Sequence, residues 1–462
     1  MAKKRTRQPA APSAQDAGDI AKPRKLGAMS RDELTPERLD SVVSQLHAQF
    51  AAQSGGAVLT PAQQQNRMGG ILLPSLAARW VFAQNTLPLG TTLTLSGLHF
   101  SCKTALSIEM ARWVVSQPGM AFYNDVERKF SGDLISGTMF HRPELVDRVR
   151  PVPAATQNDW HKAVFDQVTL AKETAETIGF DVIPVISIVD SLAAAQPLEV
   201  ETKFESAGGT VNRSYSEIAL NNARWFQSIP SRVAEAPFLL LLIQHSKEVK
   251  VENMPYLPAQ RVQKGGAEVQ FVKTTGLELT GTKNFGSSRN PTGRAIQIKC
   301  TKNAFGPSNR VVTVDYHWPW AQVQLPDGQI TSGQYMWWDW HGATIKLLME
   351  LAEDRSLVRQ SDAINSIVDL HKKPGGRAWS NALGVSSSDA MPISELGERL
   401  EYEFPHLVAQ LYDVLTIAVR PVMVPRTPLS DVWNGLVPRT PVLSSWLPRG
   451  WRVDAGAAVD DE

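Results

Sequence analysis

The 462 residues carry a formal net charge of +1, with 43% hydrophobic and 20% charged residues. That balance excludes a disordered polyelectrolyte and a chain whose overall field recruits a polyanion, so any basic surface must be local. Two cysteines, Cys102 and Cys300, cannot build a disulfide framework. No apolar run reaches membrane-spanning length and the basic N-terminus lacks an apolar segment, which predicts a soluble, cytoplasmic, non-secreted protein.

Residues 1–28 are rich in Lys, Arg, Pro and Ala without periodicity, and read as a disordered basic tail. It is either a solvated tail or a loose holder of phosphates. Leu39, Val42, Val43, Leu46 and Phe50 fall at helical spacing after Thr35-Pro36-Glu37, which predicts a helix over 38–51 closed by Gly55-Gly56. This helix and its linker (29–70) either dock on a neighbouring subunit or fold back on their own core. A second amphipathic segment covers 72–84.

The run LTLSGLHFSCKT over 93–104 reads as a buried strand, a tight loop and the start of a helix over 105–115. Gly97, Lys103 and Thr104 have the spacing of G-x-x-x-x-G-K-[ST], in which backbone N–H groups cradle phosphates, the lysine reaches the β/γ-phosphates and the hydroxyl holds Mg²⁺. Cys102 stands where the second glycine belongs, at a turn that favours a residue without Cβ. The cradle would comprise Gly97, Leu98, His99, Phe100, Ser101, Cys102, Lys103 and Thr104. A thiol at a helix start either has a lowered pKa or is simply a small residue tolerated there.

A strand over 120–123 leads to Asn124-Asp125-Val126-Glu127, which puts acidic groups in the crevice at the strand ends. After a helix over 163–178, VIPVISIV (182–189) is a buried strand ending in Asp190, the Walker B arrangement for Mg²⁺. Residues 197–214, with Gly208-Gly209, have the composition of a mobile loop. A helix over 215–233 precedes a strand over 238–243 that ends at Gln244. The polar stretch 246–264 then carries Lys247, Lys250, Tyr256, Arg261 and Lys264, and Gly265-Gly266 closes it. Two polar loops, each following a core strand, point to function. Further strands are predicted over 277–279, 295–300 and the segments VVTVDYHW and AQVQL. Trp337, Trp338 and Trp340 mark a change to helical periods over 343–352, 362–370, 393–400 and 405–419. Tryptophans at such a junction are more often core anchors than a base-stacking platform. The final residues, 421–462, repeat PRTP and read as a Pro-rich tail or docking motif.

The order of these segments resembles the RecA recombinase core, and within that family the phage recombinases of the UvsX type. LPLGTTLTLSGLHFSCKTAL is similar to the lead-in, P-loop and helix; AFYNDVERKF to the segment ending in the catalytic glutamate; IVDSLAA to Walker B. LLLIQHSKE is similar to the strand ending in the γ-phosphate-sensing glutamine, KGGAEVQF to the close of the second DNA-binding loop, and IQIKCTKNAFGP to the strand whose lysines reach the neighbouring subunit's nucleotide. The resemblance implies an α/β fold: a RecA-like P-loop ATPase core over 71–335 with a central, twisted, mainly parallel sheet, an N-terminal helical arm, and a small, mainly helical C-terminal domain over 336–420. It implies ATP and Mg²⁺ as cofactors, with Thr104 and Asp190 at the metal, Glu127 activating water, Lys103 and Gln244 on the γ-phosphate, and Lys302 reaching a neighbour's nucleotide. Asp125 competes with Glu127 for its role, and Ala304 occupies the second lysine position of the last strand.

The same resemblance implies binding of single- and double-stranded DNA through Lys203, Arg213, Lys247, Lys250, Tyr256, Arg261, Lys264, Gly265 and Gly266. It implies a homo-oligomeric helical filament, assisted by a single-strand-binding protein or loader, in a bacterial or infected host cytoplasm. Two other readings compete. A ring helicase would need an arginine finger, for which Arg289, Arg294 and Arg310 are candidates. A non-hydrolysing DNA-binding accessory protein would account for Cys102 and Ala304.

Overall fold

The structure is a computed structural model. It describes residues 69–420 except 118, 129–130, 179–182, 193, 195–213, 250–259, 264–267, 288, 325–329, 355 and 357. The expectations for the basic tail, the 38–51 helix, the Gly208-Gly209 loop and the Pro-rich tail lie outside the described residues. The described residues fall within one compact unit, Asn66–Glu462.

The architecture is α/β, with the large, mainly parallel central sheet that the resemblance implies. Its elements are β1 (Thr91–Gly97), α1 (Lys103–Val115), β2 (Met120–Asp125), β3 (Val149–Pro153), α2 (Gln157–Ile178), β4 (Val185–Asp190), α3 (Ser214–Ala234), β5 (Phe238–Val249), β6 (Gln260–Gln263), β7 (Thr275–Gly286), β8 (Pro291–Asn303), β9 (Val311–His317), β10 (Trp337–Asp339) and α4 (Trp340–Glu353). These strands form a ten-stranded sheet in the order β3-β2-β4-β5-β1-β7-β8-β9-β10, with β6 paired to β5. From β3 to β7 all neighbours run parallel, and from β7 to β10 they run antiparallel. Strands β4 and β5 at the middle of the sheet are near-continuous apolar runs because helices cover both their faces.

Side chains alternate across a strand, and the two cores follow that alternation. Leu239, Leu241 and Ile243 of β5 join Ile186 and Ile188 of β4, Ala121 and Tyr123 of β2, and Leu106 and Trp113 of α1 in one core. Phe238, Leu240 and Leu242 join Val185 and Val189, together with Trp160 of α2 and Trp225 and Phe226 of α3, in the other. On that second face a buried polar network ties the strands to α2: Gln167 donates to Asn124 at 3.0 Å, Asn124 to Ser187 at 3.0 Å, and Ser187 to Gln167 at 2.7 Å.

Five strands depart from the sequence expectation. The strand expected to stop at Gln244 continues to Val249, because Ser246–Val249 finds a partner in Gln260–Gln263. Both ends of the stretch read as a polar loop are therefore paired strands. Strand β3, half polar at the sheet edge, was not predicted. Strands at 371–373, 377–379 and 391–392 form a small sheet beside the C-terminal helices, too short for periodicity to reveal.

The C-terminal helices pack on the core through buried charge. Arg79, in the helix Leu76–Phe82, pairs with Glu401 at 3.1 Å and donates to the Tyr412 hydroxyl at 2.8 Å, and the Leu76 N–H also reaches Glu401. Arg310 lies 3.9 Å from the Trp80 ring centroid and donates to the carbonyls of Trp80 and Leu415. Trp338 and Trp340 are buried, and Trp340 meets Trp113 of α1 edge-on at 5.5 Å. These two tryptophans are core anchors.

Candidate nucleotide site

The loop 97–102 joins the central strand β1 to α1 at the C-terminal edge of the parallel strands, where open α/β sheets place their ligand sites. Gly97 has φ +153, and a Cβ there would meet the Leu279 carbonyl at 2.5 Å and Ser101 Oγ at 2.7 Å. Only glycine fits. Phe100 (φ 61) and Cys102 (φ 59) both adopt the left-handed conformation. Cys102 thus takes the backbone shape for which the usual motif has glycine. Its left-handed turn into the right-handed Lys103 is the αL–αR alternation that lines successive N–H groups into an anion-binding nest.

Helix α1 opens without a side-chain cap, so its first N–H groups and the positive end of its dipole face the loop. Lys103, only 5% exposed, curls back over the loop. Its ammonium donates to the carbonyls of Leu98 at 2.7 Å and Gly97 at 3.1 Å, and to Ser101 Oγ at 3.2 Å. Burial lowers the Lys103 pKa, opposed by the charges of Asp190 and Glu127.

Asp190 is the hub opposite. Its Oδ2 accepts hydrogen bonds from Thr104 Oγ1 at 2.6 Å and from the Tyr123 hydroxyl at 2.7 Å. Burial pushes its carboxyl pKa up, while the two hydroxyls work against that shift. Burial also raises the Tyr123 phenol, reinforced by the charge of Asp190, so Tyr123 stays a donor. Asp125 stands level with Asp190 in the β2–β4 register.

Glu127 does not lie out on the surface. Its Oε1 accepts from Ser191 Oγ at 2.6 Å and meets His245 Nε2 at 2.7 Å. The His245 ring in turn stacks on His99 of the loop, with centroids 5.0 Å apart and an interplanar angle of 24°. Ligand atoms of Glu127, Asp190 and His245 all lie within 4.8 Å of one another.

Residues expected from the sequence therefore fall into three groups. Gly97, Lys103, Thr104, Asp190 and Glu127 converge at one edge of the sheet. Gln244 is fully buried in register with Ser96, and alternation along β5 puts it on the face opposite to His245. Lys302 lies toward the other end of the sheet, in register with Gly276, and its ammonium donates to the Gln270 carbonyl at 2.8 Å.

Of the expected DNA contacts, Lys247 is exposed on β5, and Arg261 falls on β6 opposite Glu248. Lys203, Arg213, Lys250, Tyr256, Lys264, Gly265 and Gly266 lie outside the described residues. The idea of an activated Cys102 thiol is corrected: burial raises its pKa to about 11, outweighing the nearby cations Arg294 and Lys103.

Sequence reasoning missed His245, Ser191 and Tyr123, and it named His99 only as a member of the loop, not as the partner of His245. His245 had a usable signal, since the period of two along FLLLLIQH places it on the face opposite Gln244.

No family model matches the chain, and no curated protein matches it. Among solved structures, one described as the crystal structure of the RadB recombinase aligns at 14% identity with a TM-score of 0.35, covering 50% of this chain and 89% of that chain. A likeness of that size carries no functional argument, and the reading that follows rests on the geometry. No helix among the described residues is long and apolar enough to cross a membrane.

Proposed function

We propose that this chain is a DNA-dependent ATPase of the recombinase type, which assembles as a filament on single-stranded DNA and promotes homologous pairing and strand exchange. The observation that carries the ATPase reading is the 2.6 Å bond from Thr104, at the head of α1, to Asp190 at the end of β4. It joins a lysine-bearing anion nest to a strand-end carboxylate, the two halves of a nucleotide site. The residues fit ATP with Mg²⁺: an uncapped helix start and an ammonium for the phosphates, and a hydroxyl with a carboxylate for the ion. Bound there, Mg²⁺ would supply charge neutralisation on the phosphate oxygens.

The chain's own residues then divide the work. The loop N–H groups hold the phosphates, and Lys103 exchanges its loop carbonyls for the γ-phosphate, placing positive charge where charge develops during transfer. Glu127 orients the attacking water and accepts its proton. Ser191 and His245 hold the Glu127 carboxylate in place. Strand β5 links this site to the β5–β6 hairpin: His245 meets Glu127 on one face, Gln244 precedes it on the other, and Lys247 follows two residues on. A change at Glu127 on nucleotide binding thus has a rigid route to the segment proposed to contact DNA. Lys203, Arg213, Lys247, Lys250, Arg261 and Lys264 would pair with phosphates, Tyr256 would stack on bases, and Gly265-Gly266 would close the loop. Lys302, far from its own loop, suits contact with the nucleotide of a neighbouring copy.

The ring-helicase alternative loses two of its finger candidates. Arg310 is engaged with Trp80 and Leu415, and Arg294 is engaged by the loop of its own subunit. The discriminating experiment is strand exchange between circular single-stranded and linear duplex DNA, run beside an unwinding assay on a forked duplex. Exchange with ATP and no unwinding supports the proposal. Unwinding without exchange replaces it with the motor reading, and DNA binding without any ATP turnover replaces it with the accessory one.

A further inference from the structure

Arg294 is a cation that the proposed chemistry does not use, yet the sheet is shaped around it. It sits on β8, with the whole of β7 between it and the P-loop strand. Even so, its Nη1 donates to the Phe100 carbonyl at the tip of that loop, at 2.6 Å. Two features of β7 make the crossing possible. A Cβ at Gly281 would lie 2.5 Å from Arg294 Nε and 2.6 Å from its Cζ, so the guanidinium passes over β7 where the side chain is missing. Beside it the ladder slips by one residue between Ala295/Lys283 and Ile296/Gly281, leaving Thr282 as the extra residue of a bulge. Bulges bend a strand and re-aim side chains.

The contact is also costly to maintain. Arg294 Nε is buried with no hydrogen-bond partner, a loss that side-chain burial alone does not explain. Phe100 is held at φ 61 while the residue is 87% exposed, so little packing offsets a conformation bulky residues avoid. A trans peptide points its carbonyl and the following N–H to opposite edges. Fixing the Phe100 oxygen outward on Arg294 therefore fixes the Ser101 N–H on the other edge, away from Arg294. Ser101 is already locked from the loop's interior, donating to the Leu98 carbonyl at 2.8 Å and accepting from Lys103.

We propose that Arg294 is a positioning residue that preorganises the phosphate loop of its own subunit through the Phe100 carbonyl, with Gly281 as the gap that admits it. It sets affinity for the phosphates of a nucleoside di- or triphosphate and takes no part in the transfer step. This rests on the nucleotide-site reading above.

The test compares wild type, Arg294→Met, Arg294→Lys, Gly281→Ala and the Gly281→Ala/Arg294→Met pair. It uses mant-ADP with Mg²⁺ in direct titration and ATP in steady-state turnover. Losing a charge-assisted hydrogen bond that preorganises the loop predicts about tenfold weaker mant-ADP binding for Arg294→Met. KM for ATP should rise while kcat at saturation stays near wild type. Gly281→Ala keeps the arginine but blocks its path, and should reproduce the loss. The pair should bind no more weakly than either single variant, since both break one contact. Arg294→Lys should recover part of the affinity. Because the added methyl meets only the far end of a flexible side chain, Gly281→Ala carries the test if Arg294→Met does not fold. Wild-type affinity in Gly281→Ala, or additive losses in the pair, overturns the positioning role and leaves the site reading intact. A wild-type protein that binds no mant-ADP overturns both.

Discussion

Two buried polar clusters lie on the same helix, and they are built by opposite rules. Within α1, Glu109 is fully buried and meets Arg112 at 2.6 Å and 2.9 Å and the Trp113 indole N–H at 2.8 Å. Arg112 in turn lies 4.9 Å from the Phe140 ring centroid. At the head of the same helix, Asp190 is met by the hydroxyls of Thr104 and Tyr123, and Glu127 by Ser191 and His245. The first cluster answers a full charge with a full charge inside α1 and ties the helix to Phe140. The second meets its carboxylates with neutral hydroxyls and an imidazole, groups that can give way to an ion, a water or a phosphate. Structural polarity is closed; the candidate site is left adjustable.

The largest expected effect falls on the closed cluster. Arg112→Ala strands Glu109 without its counter-charge, and leaving one partner of a buried pair costs about 3–5 kcal/mol. Urea unfolding checks this, and a loss below about 1 kcal/mol would mean the cluster is no more closed than the site. Next comes His245→Ala, which removes a support of Glu127 without touching the phosphate loop's backbone. ATP turnover should fall by about tenfold to a hundredfold with little change in stability. An equal fall in stability would make His245 part of the structural class.

A third contrast comes from acid. His161 stacks on Trp225, and burial lowers its pKa to about 4; His341, against Tyr402, is lowered to about 3 by burial and by the charges of Arg79 and Arg112. The ordinary value is 6.5. Below it the unfolded chain takes up protons that the folded protein refuses, so this contribution to stability is complete above that pH. It is lost progressively as pH falls toward the folded values. Between pH 7 and 5, wild type should lose stability that His161→Phe retains, and parallel curves would contradict the assignment. The smallest effect concerns Cys102. With its pKa raised to about 11, the thiol stays protonated at neutral pH and should alkylate with iodoacetamide more slowly than free cysteine.

What could be read in advance follows from how local each signal is. Gly97, Lys103 and Thr104 are held by one turn and share a sequence signature. Asp190 ends an apolar run and needs nothing else to be seen. Glu127 was placed by resemblance, but its partners are Ser191, just past the end of β4, and His245 on β5, so no window of sequence contains the set. Gln244 takes its role from the resemblance alone, and the two-sided packing of β5 is what puts His245 on the other face, beside Glu127. Arg294 was invisible in its present role, because a bulge and a missing Cβ on a different strand decide where it points.

The central claim is that Lys103, Thr104, Asp190 and Glu127 form one ATP-hydrolysing site coupled to DNA. Steady-state ATP turnover with and without single-stranded DNA, for wild type, Lys103→Ala and Glu127→Gln, tests it most directly. The account predicts strong stimulation by DNA in wild type and loss of turnover in both variants, with mant-ADP binding kept in Glu127→Gln and lost in Lys103→Ala. Turnover that ignores DNA, or that survives Glu127→Gln, would contradict it.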